Sequence, residues 1–182
     1  MLRSGEPLRK FGLRFGSELA RHLANDVLAD LAFNKVPFSA AHPDVEVHEG
    51  FLGEIDKLWN PILGDLPEDV PRWATGHSLG AALATLAGMR YRFKEVVTFG
   101  EPRVGLNIGN AFQGDAHTRI VNGDDPVTRV PPEVVLGYEH HGELVSIRDP
   151  DGSTDFTFDH SIVYYTENLK ALAARSASSR EQ

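Results

Sequence analysis

The chain has 182 residues, a length suited to one domain that buries about 70% of the surface exposed by its unfolded form. It contains no cysteine, which excludes disulfides, thiolate nucleophiles and zinc–sulfur sites. The formal net charge of −8 provides no basic field for nucleic-acid phosphates or anionic lipid surfaces, so no nucleic-acid partner is expected.

The first half of the chain predicts two helices and two strands ahead of a third helix. Apolar residues recur every three or four positions over 17–33, which predicts an amphipathic helix or a pair of short helices. A brief strand is expected over 45–47 and a helix over 51–63. A short strand over 72–75 then leads into an alanine- and leucine-rich helix that begins at Leu79.

The second half of the chain predicts further strands, separated by turns, and a final helix. The apolar run 96–99 is typical of a buried parallel strand, and 118–121 is a strand that ends at the turn sequence Asn-Gly-Asp-Asp-Pro. Residues 143–148 alternate as a strand does, with 155–158 as the expected hairpin partner. The final helix is expected over 160–173.

Strands that alternate with helices favour an α/β fold with a central, mostly parallel sheet flanked by helices. The expected boundaries are a single domain over 1–175 and a frayed polar tail over 176–182. Ligands of such sheets bind at the carboxyl ends of the strands. Because Ser78, Asp125 and the turn after Phe158 all lie at expected strand ends, this edge is the predicted place for chemistry.

A glycine-flanked serine carries the strongest chemical signal in the sequence. Ser78 lies at the centre of the pattern Gly76-x-Ser78-x-Gly80, between the strand over 72–75 and the helix that begins at Leu79. A sharp turn from strand to helix strains the serine backbone, and side chains at the flanking positions would clash. The same pattern also occurs by chance in tight turns without catalytic function, so other residues have to support it.

A serine hydroxyl becomes an effective nucleophile when a histidine accepts its proton and a carboxylate orients that histidine. On a strand–turn–helix elbow the three residues follow the chain order Ser, Asp, His. Three histidines follow the turn carboxylates and satisfy this order, namely His140, His141 and His160. The order by itself leaves all three open.

Five motifs follow one another along the chain: T-G-H-S-L-G-A-A-L-A, V-V-T-F-G-E-P-R-V-G, R-I-V-N-G-D-D-P-V-T-R-V-P-P, Y-E-H-H-G-E-L-V and D-H-S-I-V-Y-Y. In this order they resemble the class 3 (fungal-type) lipases, an α/β-hydrolase family, over about residues 47–169. The resemblance implies a serine carboxylic-ester hydrolase, lipase-like, that cleaves acylglycerol or related lipid esters through an acyl-enzyme. Two alternatives stay open: an inactive hydrolase-fold binding protein or truncated fragment, and a serine peptidase with the same elbow.

The resemblance also implies roles for five residues. Ser78 is the expected nucleophile, His160 the base, and Asp125 the carboxylate that orients the base. The backbone N–H of Leu79 is one expected donor to the oxyanion. The second family donor is a Ser or Thr after a Phe-Arg-Gly segment, and Ser17, which follows Arg-Phe-Gly, is the nearest match. Capping of a helix is the alternative role for Ser17.

Structural roles are the alternatives to the catalytic roles of Asp125 and His160. A turn-capping role would explain Asp125, and a position at a helix N-terminus would explain His160. The neighbouring Asp124 is the weaker candidate, because only Asp125 keeps the family spacing to the Val and Pro-Pro that follow. By resemblance His140 is a structural residue at a strand entry, and His77, beside the serine, is a packing residue.

The start of the chain departs from the family pattern. Family members carry a further helix and strands before this point, so the sheet is expected to be abbreviated at the N-terminus. The helix over 17–33 resembles a lid that makes transient contact with a lipid interface, although helices of this pattern more often face the core. The first residues lack the apolar run of a signal peptide, so a cytoplasmic location is expected as written, and secretion if the true start lies upstream.

The expected ligand is a lipid or a small ester substrate, and no obligate protein partner is inferred. The sequence contains neither a phosphate-binding glycine loop nor an H-E-x-x-H zinc motif. No cofactor and no metal are therefore expected.

Overall fold

The computed structural model describes residues 11–15, 33–63, 70–148 and 159–179 of the chain. Within these ranges the chain forms two sheets with helices packed against them. In chain order the elements are β1 (Phe11–Phe15), β2 (Lys35–Ser39), β3 (His42–His48), α1 (Glu49–Leu63), β4 (Arg72–His77), α2 (Leu79–Arg90), β5 (Glu95–Phe99), β6 (Gly105–Leu106), β7 (His117–Asn122), α3 (Glu133–Leu136), β8 (Glu143–Ile147) and α4 (Ile162–Ser178).

The larger sheet consists of parallel strands in the order β1-β4-β5-β7-β8. Parallel neighbours require a crossover connection, and α2 supplies the one between β4 and β5. The carboxyl ends of β4, β5 and β7 lie side by side in the sheet, because His77 pairs with Phe99 and Phe99 pairs with Ile120. The predicted α/β fold with a central parallel sheet is confirmed, and the segments that follow these strands meet at one edge.

Helix α2 is buried on all its faces because most of its residues are small. Every residue from Leu79 to Met89 is buried. Alanine and glycine allow the helix to contact β4, β5 and α1 closely, as expected for a helix that is apolar all round. Val45 and Val47 of β3 and Phe51 and Ile55 of α1 complete this core. The turn that contains Ser78 is thus attached to the most deeply buried helix among the described residues.

The smaller sheet is antiparallel and has the order β2-β3-β6. Its strands approach so closely at β6 that a Cβ on Gly105 would lie 2.0 Å from the carbonyl oxygen of Glu46. The second glycine of the V-V-T-F-G-E-P-R-V-G motif, Gly105, is therefore explained by strand packing.

The last helix differs from its prediction at both ends. Helix α4 begins at Ile162, after His160, and continues beyond the predicted end at 173. Residues 176–178 are helical, which corrects the expectation that the frayed tail begins at 176. The hydroxyl of Ser178 donates to the carbonyl of Ala174 at 2.8 Å, so the polar side chain is accommodated within the helix.

Several predictions lie outside the described residues. They are the helix over 17–33 with Ser17, and the strand over 155–158 that was expected to pair with 143–148. The described partner of β8 is β7, in parallel orientation. The boundaries of a single domain over 1–175 stay a prediction. Among the described helices, none has the length and apolar character of a membrane span.

Candidate active site

Ser78 occupies a strained turn between β4 and α2. Its backbone has φ 57° and ψ −127°, a conformation that few residues other than glycine adopt. A Cβ on Gly76 would lie 2.0 Å from the carbonyl oxygen of Gly80, so glycine is required at the first flanking position. The serine N–H donates to the carbonyl of Phe99 at 3.0 Å, which fixes the turn to the end of β5.

The ring of His160 connects Ser78 to Asp125. His160 Nε2 lies 2.9 Å from Ser78 Oγ, and His160 Nδ1 lies 3.0 and 2.9 Å from Asp125 Oδ1 and Oδ2. The carboxylate can only accept, so Nδ1–H donates to it and the unprotonated Nε2 accepts from the hydroxyl. The structure thus brings together the three residues that the sequence predicts as nucleophile, base and orienting carboxylate.

The carboxylate of Asp125 is fully buried, with 0% of the residue exposed, and it accepts from further donors besides His160. The backbone N–H of Val127 donates to Oδ1 at 2.9 Å, and the hydroxyl of Tyr165 donates to Oδ2 at 2.7 Å. Burial and the negative charge of Asp125 raise the pKa of Tyr165, so its hydroxyl keeps the proton that it donates. The side chain of Asp125 therefore caps the turn through the N–H of Val127 and also contacts His160.

A second set of hydrogen bonds joins the segments that carry Asp125 and His160. Asn122 Nδ2 donates to the carbonyl of Asp159 at 3.1 Å, and Asn168 Nδ2 donates to Asn122 Oδ1 at 2.7 Å. Asp159 Oδ2 accepts the backbone N–H of Asp124 at 2.9 Å. These bonds fasten the end of β7 to the residues just before α4 and to α4 itself.

Sequence reasoning did not single out Tyr165, Asn122 or Asn168. The only signal for Tyr165 was its place as the last residue of the D-H-S-I-V-Y-Y motif. Asn122 stood in the turn sequence after the predicted strand, where a capping role accounts for asparagine without any partner in α4.

The remaining candidates lie apart from the histidine–carboxylate contact. Asp124 pairs with Arg129 at 2.6 Å, in agreement with its weaker ranking. His140 Nε2 donates to the carbonyl of Thr128 at 2.8 Å, and burial lowers its pKa to about 4. His141 faces His117, with their Nδ1 atoms 3.2 Å apart. Neither histidine replaces His160 as the partner of the serine.

The structure describes one of the two expected oxyanion donors. Leu79 is the first residue of α2, where backbone N–H groups have no carbonyl partner within the helix. Ser17 lies outside the described residues. Among the described side chains, no group of three or more metal-ligating residues is arranged to hold an ion.

Gly100, which follows β5, lies against the Asp125–His160 contact. Its backbone is left-handed, with φ +56°. A Cβ at this position would lie 2.7 Å from Asp125 Oδ2 and 3.1 Å from His160 Nδ1. The absence of a side chain therefore lets the carboxylate and the ring approach each other.

If the chain catalyses the ester hydrolysis that the sequence resemblance implies, we expect Gly100→Ala to lower its kcat about 100-fold, because the methyl group would separate the carboxylate from the ring. Hydrolysis of p-nitrophenyl butyrate measures the effect. Gly53→Ala is the matched control, since a Cβ at Gly53 meets nothing within 4 Å. Parental kcat in Gly100→Ala would contradict the steric argument.

The family relationship is supported by sequence comparison. The family model described as Lipase (class 3) matches residues 19–135, a range that contains Ser78 and Asp125. Secreted mono- and diacylglycerol lipase 1 of Fusarium solani is 37% identical over 111 residues, covering 52% of this chain and 32% of the relative. Phospholipase A(1) DAD1, chloroplastic, of Arabidopsis thaliana is 45% identical over 86 residues, covering 42% of this chain and 19% of the relative.

A solved structure supports the same relationship. The crystal structure of the lipase from Rhizopus microsporus var. chinensis matches with a TM-score of 0.56 and 32% sequence identity, covering 69% of this chain and 50% of that one. This chain spans about a third or less of the length of the two curated relatives. The match of the family model to most of the chain, the parallel sheet and the serine elbow lead to one conclusion: the chain belongs to the class 3 lipase family, with the α/β-hydrolase fold.

Proposed function

We propose that this chain is a serine carboxylic-ester hydrolase that cleaves acylglycerol or related lipid esters through an acyl-enzyme on Ser78. The observation that carries the proposal is the unbroken hydrogen-bonded series from Ser78 Oγ through His160 to the buried carboxylate of Asp125. Membership of a lipase family supports an ester as substrate and makes the serine peptidase the weaker alternative.

The proposed reaction begins when Ser78 Oγ attacks the acyl carbonyl and His160 Nε2 takes the hydroxyl proton. Asp125 stabilises the imidazolium that results. His160 then protonates the leaving alcohol, which departs as the acyl-enzyme forms. Water, deprotonated by His160, attacks the acyl-enzyme. The bond from the acyl carbon to Ser78 Oγ then breaks, His160 returns the proton to Ser78 Oγ, and the carboxylic acid is released. The proton relay uses only groups that already lie within hydrogen-bond distance of one another.

For the oxyanion we propose the backbone N–H of Leu79 and, as the second donor, Ser17. The N–H of Leu79 stands at the N-terminus of α2, where the helix dipole also favours negative charge. Support for Ser17 comes from the register of β1, because Phe15 is the partner of Gly76. The chain therefore leaves β1 beside the elbow two residues before Ser17.

The substrate class and the location are proposed from the relatives. One relative is named as a lipase of mono- and diacylglycerols and another as a phospholipase, and both names denote lipid esters. We therefore propose a lipid ester as substrate, with transient contact at a lipid interface. Cytoplasmic residence stays a prediction, and secretion is the alternative that the name of the Fusarium relative supports.

Labelling with a fluorophosphonate probe tests the proposal, because only an activated serine reacts. We expect one label per chain, located at Ser78, together with hydrolysis of p-nitrophenyl butyrate and no cleavage of peptide nitroanilides. Ser78→Ala should abolish the label. A folded parent protein that takes up no label and hydrolyses no ester would contradict the proposal and would favour a hydrolase-fold binding protein.

A further inference from the structure

His77 contacts the predicted base through both its ring and one of its nitrogens. It is the last residue of β4 and directly precedes Ser78. Its ring stacks on that of His160, with centroids 4.6 Å apart and planes inclined by 29°. His77 Nε2 lies 2.8 Å from the backbone carbonyl oxygen of His160. The ring of Tyr165 also packs against the ring of His77 in an edge contact, with 5.8 Å between the ring centroids.

The chemistry of the carbonyl contact defines the protonation of His77. A carbonyl oxygen only accepts, so His77 Nε2 carries the hydrogen. Burial, followed by the nearby charge of His160, lowers the pKa of His77 to about 4, while the carbonyl contact and Asp125 act in the opposite direction. His77 is therefore a neutral donor at the pH values where a histidine base works.

We propose that His77 is a positioning residue that holds the backbone and the ring plane of His160 through an uncharged contact. The inference rests on the proposed function, in which His160 alternates between imidazole and imidazolium. A neutral donor fixes the base without opposing that positive charge. A cationic donor at the same place would oppose it, because like charges this close repel each other.

The groups that face the paired rings are few among the described residues. Asp125 and Ser78 contact His160, and Tyr165 lies against His77 and donates to Asp125. None of these side chains donates to the carbonyl of His160, so His77 supplies a contact that they do not replace.

Two substitutions separate the ring of His77 from its hydrogen bond. His77→Phe keeps an aromatic ring and removes the donor, whereas His77→Gln keeps an N–H donor and removes the ring. We expect His77→Phe to lower kcat about 10-fold with little change in KM, the effect of one lost orienting hydrogen bond. His77→Gln should restore most of kcat, because the amide keeps the N–H donor to the carbonyl of His160.

His42→Phe is the matched control, because His42 is also partly buried but lies in the smaller sheet. Its kcat should equal that of the parent. Thermal unfolding of every variant shows whether a loss of kcat merely follows a loss of stability. Equal losses of kcat in His77→Phe and His77→Gln would overturn the proposal, since that result indicates packing alone.

Imidazole NMR provides a readout that does not depend on catalysis. In the parent protein the His77 ring should show the tautomer with hydrogen on Nε2, and a low-field proton should mark the bond from His160 Nδ1 to Asp125. That low-field signal should persist in His77→Gln and broaden in His77→Phe. The opposite His77 tautomer, or an unchanged signal in His77→Phe, would overturn the proposal. An inactive parent with the expected spectra would contradict only the proposed hydrolase function.

Discussion

Ser78→Ala should lower kcat for ester hydrolysis about 10⁶-fold while the protein remains folded. The substitution removes the oxygen that attacks the ester and leaves His160 Nε2 without the hydroxyl whose proton it accepts. Alanine and serine have similar backbone preferences, so the cost of φ 57° is already present in the parent. Only the hydrogen bond to His160 is lost, which changes the free energy of unfolding by about 1 kcal/mol.

The measurement combines initial rates on p-nitrophenyl butyrate with thermal unfolding of the same preparations. Ser146→Ala is the control, because Ser146 is an exposed serine on β8. It should match the parent in both measurements, whereas the loss of activity in Ser78→Ala from the same host excludes a contaminating esterase as the source of activity. If Ser78→Ala hydrolysed the ester as fast as the parent, the serine would not be the nucleophile.

Asp125→Asn should lower kcat about 10⁴-fold, the effect seen when an orienting aspartate is replaced in a serine hydrolase. The physical reason is the set of donors around the side chain. Val127 N–H donates to Oδ1, Tyr165 O–H donates to Oδ2, and His160 Nδ1–H lies between both oxygens. An amide has one oxygen, so its NH₂ group must face one of these donors or force His160 into the wrong tautomer.

The same substitution should destabilise the fold. A donor that faces an amide NH₂ in a fully buried place loses its acceptor, which costs about 1–3 kcal/mol in the free energy of unfolding. Asp124→Asn is the control, because Asp124 lies next in the chain and its partner Arg129 is mostly exposed. We expect it to keep kcat and to cost less than about 1 kcal/mol. Loss of activity in Asp124→Asn with retention in Asp125→Asn would reverse the assignment of the carboxylate.

The strands β3, β4, β5, β7 and β8 and the elbow could be predicted because their signals are local, whereas β1, β2 and β6 were missed. The apolar run 96–99 and the glycines beside Ser78 each indicate backbone geometry without knowledge of distant residues. The parallel sheet then followed from the alternation of strands with helices, and the comparisons confirm the family that the ordered motifs indicated. Catalytic roles for Ser78, Asp125 and His160 remain predictions that the hydrogen-bond geometry supports.

The second layer of contacts could not be predicted because each contact joins segments far apart in sequence. Asn122 and Asn168 meet only after α4 packs on the end of β7, and neither residue carries a local pattern that names its partner. His77 was interpreted as a packing residue, since nothing in T-G-H-S-L-G indicates that its ring would reach the carbonyl of His160. The continuation of α4 through 176–178 was missed because serine is a weak signal for a helix end.

The hydrogen bonds that join β7 to α4 and to the residues before it also bear on the order in which the site forms while the chain is being synthesised. During synthesis the serine and the aspartate leave the ribosome before the histidine, and the hydrogen bonds of Tyr165 to Asp125 and of Asn168 to Asn122 form only when α4 docks. A nascent polypeptide that still lacks this last helix has its nucleophile in place but no base to activate it. Under the proposed mechanism, hydrolysis therefore requires the docking of α4 as well as the formation of the sheet.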